Sequence, residues 1–352
     1  MDFVSDDLIR YKRQLLQRVT DIPLPPGRQL KDEGVQKWLV KDIFNDQVVA
    51  DLGAAYLRRQ LDRVIAAIER AITDPTEEEV SNDLYEFRAR LATLAAEEQK
   101  KEATVPQKKL VRYHPPTDLR ESEQYIRIFE KPQVLGYGSD TGNRTWEASL
   151  RLMHFLSAHP QLIRGRTVLE LGAGSGLLSV YCAAVLGAKT VIATDISPQI
   201  LQACQDNIDL NASFWAEERR PPILRQLDLT DNLRVIIQTQ LQDAEGKHVV
   251  PDIVLAADVI YDPEVARSLA QGLRMTVRST SPGIEVIVAA TVRNMELLSD
   301  FENNFLIRQL EYERADESWE LPGDFHEQTG LFHAVANDIR LYHRKPGAFC
   351  VG

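Results

Sequence analysis

Three cysteines in 352 residues are too few and too far apart to brace this chain. Cys182, Cys204 and Cys350 form no C-x-x-C pair. That excludes a disulfide framework and a cysteine zinc site, and it suits a reducing compartment. Seven histidines are present, none in an H-E-x-x-H spacing, so no catalytic metal is expected. No apolar run approaches the length of a bilayer span, and the opening MDFVSDDLIRYKR lacks the basic-then-apolar plan of a signal peptide. A cytoplasmic location and no membrane partner are therefore expected. Positive charge is also short: 41 Lys and Arg stand against 52 Asp and Glu, a net charge of −11. Free nucleic acid is a poor partner for such a field, whereas a basic protein surface suits it.

What is present falls into two parts. The first hundred residues carry helical periodicity. Leu57, Leu61, Val64, Ile65 and Ile68 share one face between about 50 and 72, and Val80, Leu84, Phe87, Leu91 and Leu94 continue the spacing. Thr73-Asp74-Pro75 reads as a stop between them. Thr76-Glu77-Glu78-Glu79 has capping-box spacing and predicts a new helix start there. Two antiparallel helices are expected, then a mobile linker over 99–109. After about residue 122 the pattern changes. Tyr125–Phe129 alternates like a strand, and an apolar-periodic helix opens at Thr145-Trp146. The runs Val168–Leu171, Val191–Thr194, Ile223–Leu227, Ile253–Ala257 and Ile284–Ala290 are then spaced by helical segments. That alternation predicts a parallel, doubly wound α/β sheet. Strands near 305–312 and 338–343, joined by a loop, predict an antiparallel hairpin at one edge. The expected division is a helical region with linker over 1–118 and an α/β domain over 119–352.

The strongest local signal is Val168-Leu-Glu170-Leu-Gly172-Ala173-Gly174-Ser-Gly176. A strand runs into close glycines, which let backbone and ligand approach each other. Dinucleotide enzymes favour G-x-G-x-x-G, with a pyrophosphate at the helix N-terminus. Here the spacing is G-x-G-x-G, and Glu170 precedes the loop. A carboxylate there repels a pyrophosphate and suits the ammonium of S-adenosyl-L-methionine, which carries no phosphate. The next strands also end in acids. Asp195 is placed for two ribose hydroxyls, or as the cap of the helix Ser197–Leu210, or both. Asp228 is placed for an adenine amino group. Asp258 ends the fourth run.

That fourth run, DIVLAADVIYD over Asp252–Asp262, puts an acid and a phenol, Asp258 and Tyr261, just past a buried strand. Asp262-Pro263 alternatively reads as a polar turn into the next helix. The segments Gly142-Asn-Arg-Thr-Trp146-Glu-Ala, Thr167-Val-Leu-Glu170-Leu-Gly, Ala256-Ala-Asp258-Val-Ile-Tyr261 and Thr291-Val-Arg293-Asn294 together resemble methyltransferase family 16. These are seven-β-strand protein-lysine methyltransferases with a D-x-x-Y signature. The likeness is closer to the enzymes that modify eukaryotic elongation factor 2. It is good over about 135–300 and weak before 120.

The resemblance implies a Rossmann-like class I methyltransferase sheet of seven strands behind an N-terminal helical region. It implies a protein substrate, with translation elongation factor 2 as the expected one, and a monomer. It also implies that Trp146 lies along the cofactor and that Ala257 touches its adenosine side. The family usually has tryptophan after the third-strand acid. Leu229 stands there instead, so adenine is expected to meet aliphatic packing. Asp258 and Tyr261 become the catalytic pair: the acid orients a lysine amine, and the tyrosine walls its channel. Because Asp258 is anionic it also favours the ammonium, so its role must be geometric. Arg293 and Asn294 read either as rim residues for a docked protein or as a salt bridge and a cap.

Two other readings stay open. A methyltransferase for a nucleobase amine usually carries N/D-P-P-Y/F, and this chain has no proline pair at that place. A binding module that keeps the cofactor fold without catalysis is the other, since fold does not establish activity.

Overall fold

The computed structural model describes residues 4–102, 108–116, 124–131, 141–215, 219–279, 283–305, 312–318, 331 and 338–345. Two compact units divide the chain, the first made of Met1–Gln133 with Asp324–Phe332 and the second of Val134–Gly323 with His333–Gly352. The expected boundary at 118–119 lies outside the described residues, as does Cys350.

Helices α1 (Asp6–Leu16), α2 (Gly27–Leu30), α3 (Glu33–Asp42), α4 (Asp46–Leu52), α5 (Ala54–Ala71) and α6 (Asn82–Glu102) make up most of the first unit. A separate hairpin of β1 (Lys109–Tyr113) and β2 (Ile126–Glu130) completes it. Leu57, Leu61, Val64, Ile65 and Ile68 are all buried, as the periodicity requires. Three cross-helix contacts show that α5 and α6 run antiparallel. Glu98 accepts from the Ala55 amide at 3.1 Å, Arg88 pairs with Asp62 at 2.5 Å, and the Tyr85 hydroxyl donates to Glu69 at 2.8 Å. As one residue number rises, its partner's falls.

Two expectations here need correction. The second helix starts at Asn82, not at Thr76. Thr76 donates its amide and hydroxyl to Asp74 at 3.0 and 2.6 Å instead of forming the box with Glu79, and the neighbouring acid Glu78 closes the same turn. Its carboxylate accepts from the Thr73 and Asp74 amides at 2.8 and 3.3 Å and from Lys31, and these donors pull its pKa down to about 2, Lys31 foremost. A local turn closed by Lys31, from the turn after α2, stands where the capping box was expected. The linker is also shorter than 99–109, because α6 continues through Glu102 and β1 begins at Lys109, whose ammonium pairs with Glu98. Residues 103–107 lie outside the described residues.

The second unit is the expected α/β sheet. Strands β3 (Thr167–Leu171), β4 (Thr190–Asp195), β5 (Ile223–Gln226), β6 (Ile253–Ala257), β7 (Glu285–Thr291), β8 (Glu313–Arg314) and β9 (Ile339–Arg344) lie in the order β5-β4-β3-β6-β7-β9-β8. The first five are parallel, and β9 is antiparallel to both its neighbours. This is the seven-stranded Rossmann-like sheet that the resemblance implies, with the predicted antiparallel hairpin at one edge. Of the strand expected near 305–312, residues 306–311 lie outside the described residues; the described strand begins at Glu313. Every residue of β3, β6 and β7 is buried. Their continuous apolar runs are what strands covered on both faces need.

The helices are α7 (Glu147–Ala158), α8 (Leu177–Ala184), α9 (Pro198–Leu210), α10 (Leu233–Thr239), α11 (Pro263–Ser279), α12 (Met295–Phe305) and α13 (Ala315–Ser318). Strand order reverses between β3 and β6, which opens a crevice at the carboxyl ends of the strands. Among the described residues, no helix is long and apolar enough to cross a membrane.

Candidate active site

Sheet register assembles the site. Leu171 pairs with Thr194 on one side and Ala256 on the other, and Ala257 pairs with Ala289. The residues just past these positions, Gly172, Asp195, Asp258 and Thr291, therefore come to one edge of the sheet.

The glycine loop is held from three directions. Gly172, Gly174 and Gly176 have φ of 70°, 53° and 81°, the left-handed region that side chains rarely adopt. A Cβ on Gly172 would lie 2.6 Å from Val259, and one on Gly174 would lie 3.3 Å from the Gly142 carbonyl. One on Gly176 would run into the Cys204 sulfur. The Ala173 amide donates to the Thr194 carbonyl at 2.8 Å. The Thr145 and Ser175 hydroxyls meet at 2.8 Å, which ties the segment before α7 to the loop.

Asp195 ends β4, where Oδ2 accepts from the Gly174 amide at 3.2 Å and Oδ1 from the Ser197 amide at 3.1 Å. Burial raises its pKa against the pull of these donors. Each oxygen keeps a further lone pair, the acceptor pattern two adjacent hydroxyls require. The helix α9 is capped by Ser197, whose hydroxyl accepts from the Ile200 amide at 3.3 Å. Ile196, 51% exposed beside Asp195, is an apolar platform that the sequence reading missed. An isoleucine following the strand-end acid was the available signal. Asp228 closes a turn, with Oδ1 accepting from the Thr230 amide and hydroxyl at 2.8 and 2.7 Å. Leu229 is half-buried against the sheet core.

Glu170 lies deeper than the sequence suggests. It is 2% exposed, Ser179 of α8 donates to its Oε2, and burial pushes its pKa up to about 8. Its carboxyl sits beneath the loop. Ala257 ends β6 buried, at 8% exposure.

Asp258 adopts a left-handed φ of 56°, tolerated by aspartate better than by most residues. The turn aims its side chain at the end of β7. There Oδ1 accepts from the Thr291 amide at 2.9 Å, and Oδ2 accepts from the Thr291 hydroxyl at 3.0 Å and from Arg293 at 3.1 Å. The Arg293 guanidinium also lies over the Trp146 ring, 4.7 Å from its centroid, as Arg144 does at 5.1 Å. Arg293 thus forms the salt bridge, and Asn294 the cap. The Asn294 side chain accepts from the Glu296 and Leu297 amides at 3.0 and 3.1 Å. Asp262 caps α11, accepting from the Glu264 amide at 2.8 Å.

Tyr261 is 61% exposed. Its pKa is raised, first by desolvation and then by the negative charges of Asp195, Asp262 and Asp228, so its hydroxyl stays a donor. Those same charges place it on the Asp195 side of the crevice. Among the described residues, no group of three His, Cys, Asp or Glu side chains is set to hold a metal.

Shape and donors fit a nucleoside bearing a sulfonium. There is a cradle that any Cβ would fill, a carboxylate at Asp195 with a lone pair spare on each oxygen, an apolar neighbour at Ile196, and no basic residue on the loop to hold a phosphate. A sequence profile described as lysine methyltransferase matches residues 124–310. Protein-lysine N-methyltransferase EFM3 of Chaetomium thermophilum is 32% identical over 83% of this chain and 84% of its own. Protein-lysine N-methyltransferase EEF2KMT of Homo sapiens is 31% identical over 56% of this chain and 57% of its own. Methyltransferase-like protein 22 of Mus musculus is 28% identical over 47% of this chain and 44% of its own. With the profile matched across the crevice and the first of these relatives aligned over most of its length, the chain belongs to the lysine methyltransferase family, enzymes that take their methyl group from S-adenosyl-L-methionine.

Proposed function

We propose that this enzyme methylates a lysine of translation elongation factor 2 in the cytoplasm, with Asp258 and Tyr261 forming the acceptor side of its site. The observation that carries this reading is the Asp258 turn. A strained, hydrogen-bonded acid lies one strand over from the glycine loop, with an exposed tyrosine three residues on. The substrate assignment draws on the likeness to EFM3 and EEF2KMT and on the acidity of the chain, which suits a basic protein face.

On this reading Asp195, Asp228, Leu229, Ile196, Trp146, Ala257 and the loop Gly172-Ala173-Gly174 hold the donor, and Gly176 and Glu170 support the loop from below. S-adenosyl-L-methionine, when bound, supplies an electrophilic methyl on a positive sulfur. The lysine amine first loses a proton to solvent, since its ordinary pKa is about 10.4. The donor would supply its methyl to the amine's lone pair and leave as a neutral thioether, so the positive charge would pass from sulfur to nitrogen. Asp258 Oδ1 has one lone pair not taken by Thr291, and it orients the amine. Tyr261 walls the channel and keeps its hydroxyl proton. Most of the rate comes from alignment of nitrogen, carbon and sulfur.

A lysate from cells lacking this protein, incubated with methyl-labelled donor and the pure enzyme, should show one labelled band at the mass of a large translation factor. Hydrolysis should return the label as methyllysine. Asp258→Asn should cut labelling about 100-fold while leaving donor binding within about threefold. Label in RNA, or in no macromolecule, would refute the reading.

A further inference from the structure

Asp258 poses a chemical difficulty for its own reaction. A carboxylate beside the acceptor stabilises the ammonium, which cannot attack. Four charged groups meet around Trp146 and settle the matter. Arg293 reaches Asp258 at 3.1 Å and Glu147 at 3.7 Å, and Arg144 reaches Glu147 at 3.1 Å. Two acids face two guanidiniums. Glu147 has two cations, whereas Asp258 has only Arg293 among the described residues. Remove Arg293, and the uncompensated charge falls on Asp258.

The geometry is asymmetric as well. Arg293 and the Thr291 hydroxyl both bind Oδ2 and saturate it, while among the described residues Oδ1 takes only the Thr291 amide. The Asp258 side chain is 4% exposed and that of Arg293 is 45% exposed, so the arginine covers the acid from the solvent side. Among the described residues, Asp338 just before β9 and Arg340 within it also lie near the end of β7; they pair with each other at 3.9 Å, and Arg340 pairs with Glu302 of α12 at 2.7 Å.

We propose that Arg293 is a positioning residue for methyl transfer: it occupies Oδ2 and cancels the charge of Asp258, so that Oδ1 orients the acceptor amine without stabilising its protonated form. This rests on Asp258 facing the acceptor. It makes Arg293 more than the partner of a structural ion pair. The positive charge of the guanidinium is the working part, and its fork on Trp146 is secondary.

The test is the pH dependence of kcat at saturating donor and saturating protein substrate, using the protein labelled in the lysate experiment. Arg293→Gln should move the acid limb about one pH unit upward, the low end of the range for a charge within 4–6 Å because Arg293 is half exposed. Well below the midpoint of the wild-type limb that is about a tenfold loss, shrinking to about twofold roughly one pH unit above that midpoint. Arg293→Lys keeps the charge and loses the fork. It should retain the wild-type limb with a lower plateau. Equal loss at every pH in Arg293→Gln, or a lysine variant no different from the glutamine one, would overturn the proposal and leave Asp258 as the acceptor residue. Wild-type enzyme that labels no protein would overturn both.

Discussion

Among the described residues, Glu170 is a buried carboxyl with no cation beside it. Burial drives its pKa to about 8, the Ser179 hydrogen bond opposes that rise, and the Asp195 charge adds to it. Between its unfolded value near 4.3 and about 8, the folded chain therefore binds more protons than the unfolded one. The sign follows directly: Glu170 lowers stability progressively as pH climbs through that window, and its cost is complete above it. Glu170→Gln keeps an acceptor for Ser179 and removes the charge. Its melting temperature should match wild type near pH 5 and exceed it by several degrees near pH 8, read by thermal denaturation across pH. A constant offset at all pH values would place the carboxyl in contact with water. The acid before the glycines was legible in the sequence, but its depth was not, because burial depends on α8 lying over it.

At the scale of elements, the glycine loop and the D-x-x-Y turn form one packed unit. Gly172 leaves no room for a Cβ because Val259, one residue past Asp258, fills that space. Gly172→Ala should cost about 1–3 kcal/mol, from overlap and from the positive φ together. Val259→Ala in the same chain should recover the overlap and leave about 1 kcal/mol of backbone strain. Chemical denaturation of the two single variants and the double variant measures this coupling, and additive losses would separate the two segments. The sequence showed each motif alone, since glycine spacing and an apolar run are local signals. It could not show that a valine from one makes the glycine of the other necessary. The failed capping box at Thr76 has the same origin. Lys31, far away in sequence, supplies the cation that draws Glu78 into a turn.

Across the whole molecule, the charge of −11 bears on encounter with a protein substrate. Attraction between an acidic enzyme and a basic face weakens as salt shortens the screening length from about 10 Å toward 3 Å. The KM for the protein substrate should therefore rise several-fold between about 0.1 and 0.5 M salt, while donor affinity stays level. A salt-independent KM would show that docking rests on apolar contact. The sequence by itself determined the succession of strands β3 to β7 with helices between them, the glycine loop, and the acids at strand ends, because periodicity and turn chemistry act within a few residues. Tertiary structure alone decided which groups meet. Arg293 lies 35 residues from Asp258 and reaches it only because β6 and β7 pair in register, and Glu170 is neutralised only because a helix covers it. Coulombic and desolvation effects depend on distance through space, and the chain sets that distance only when it folds.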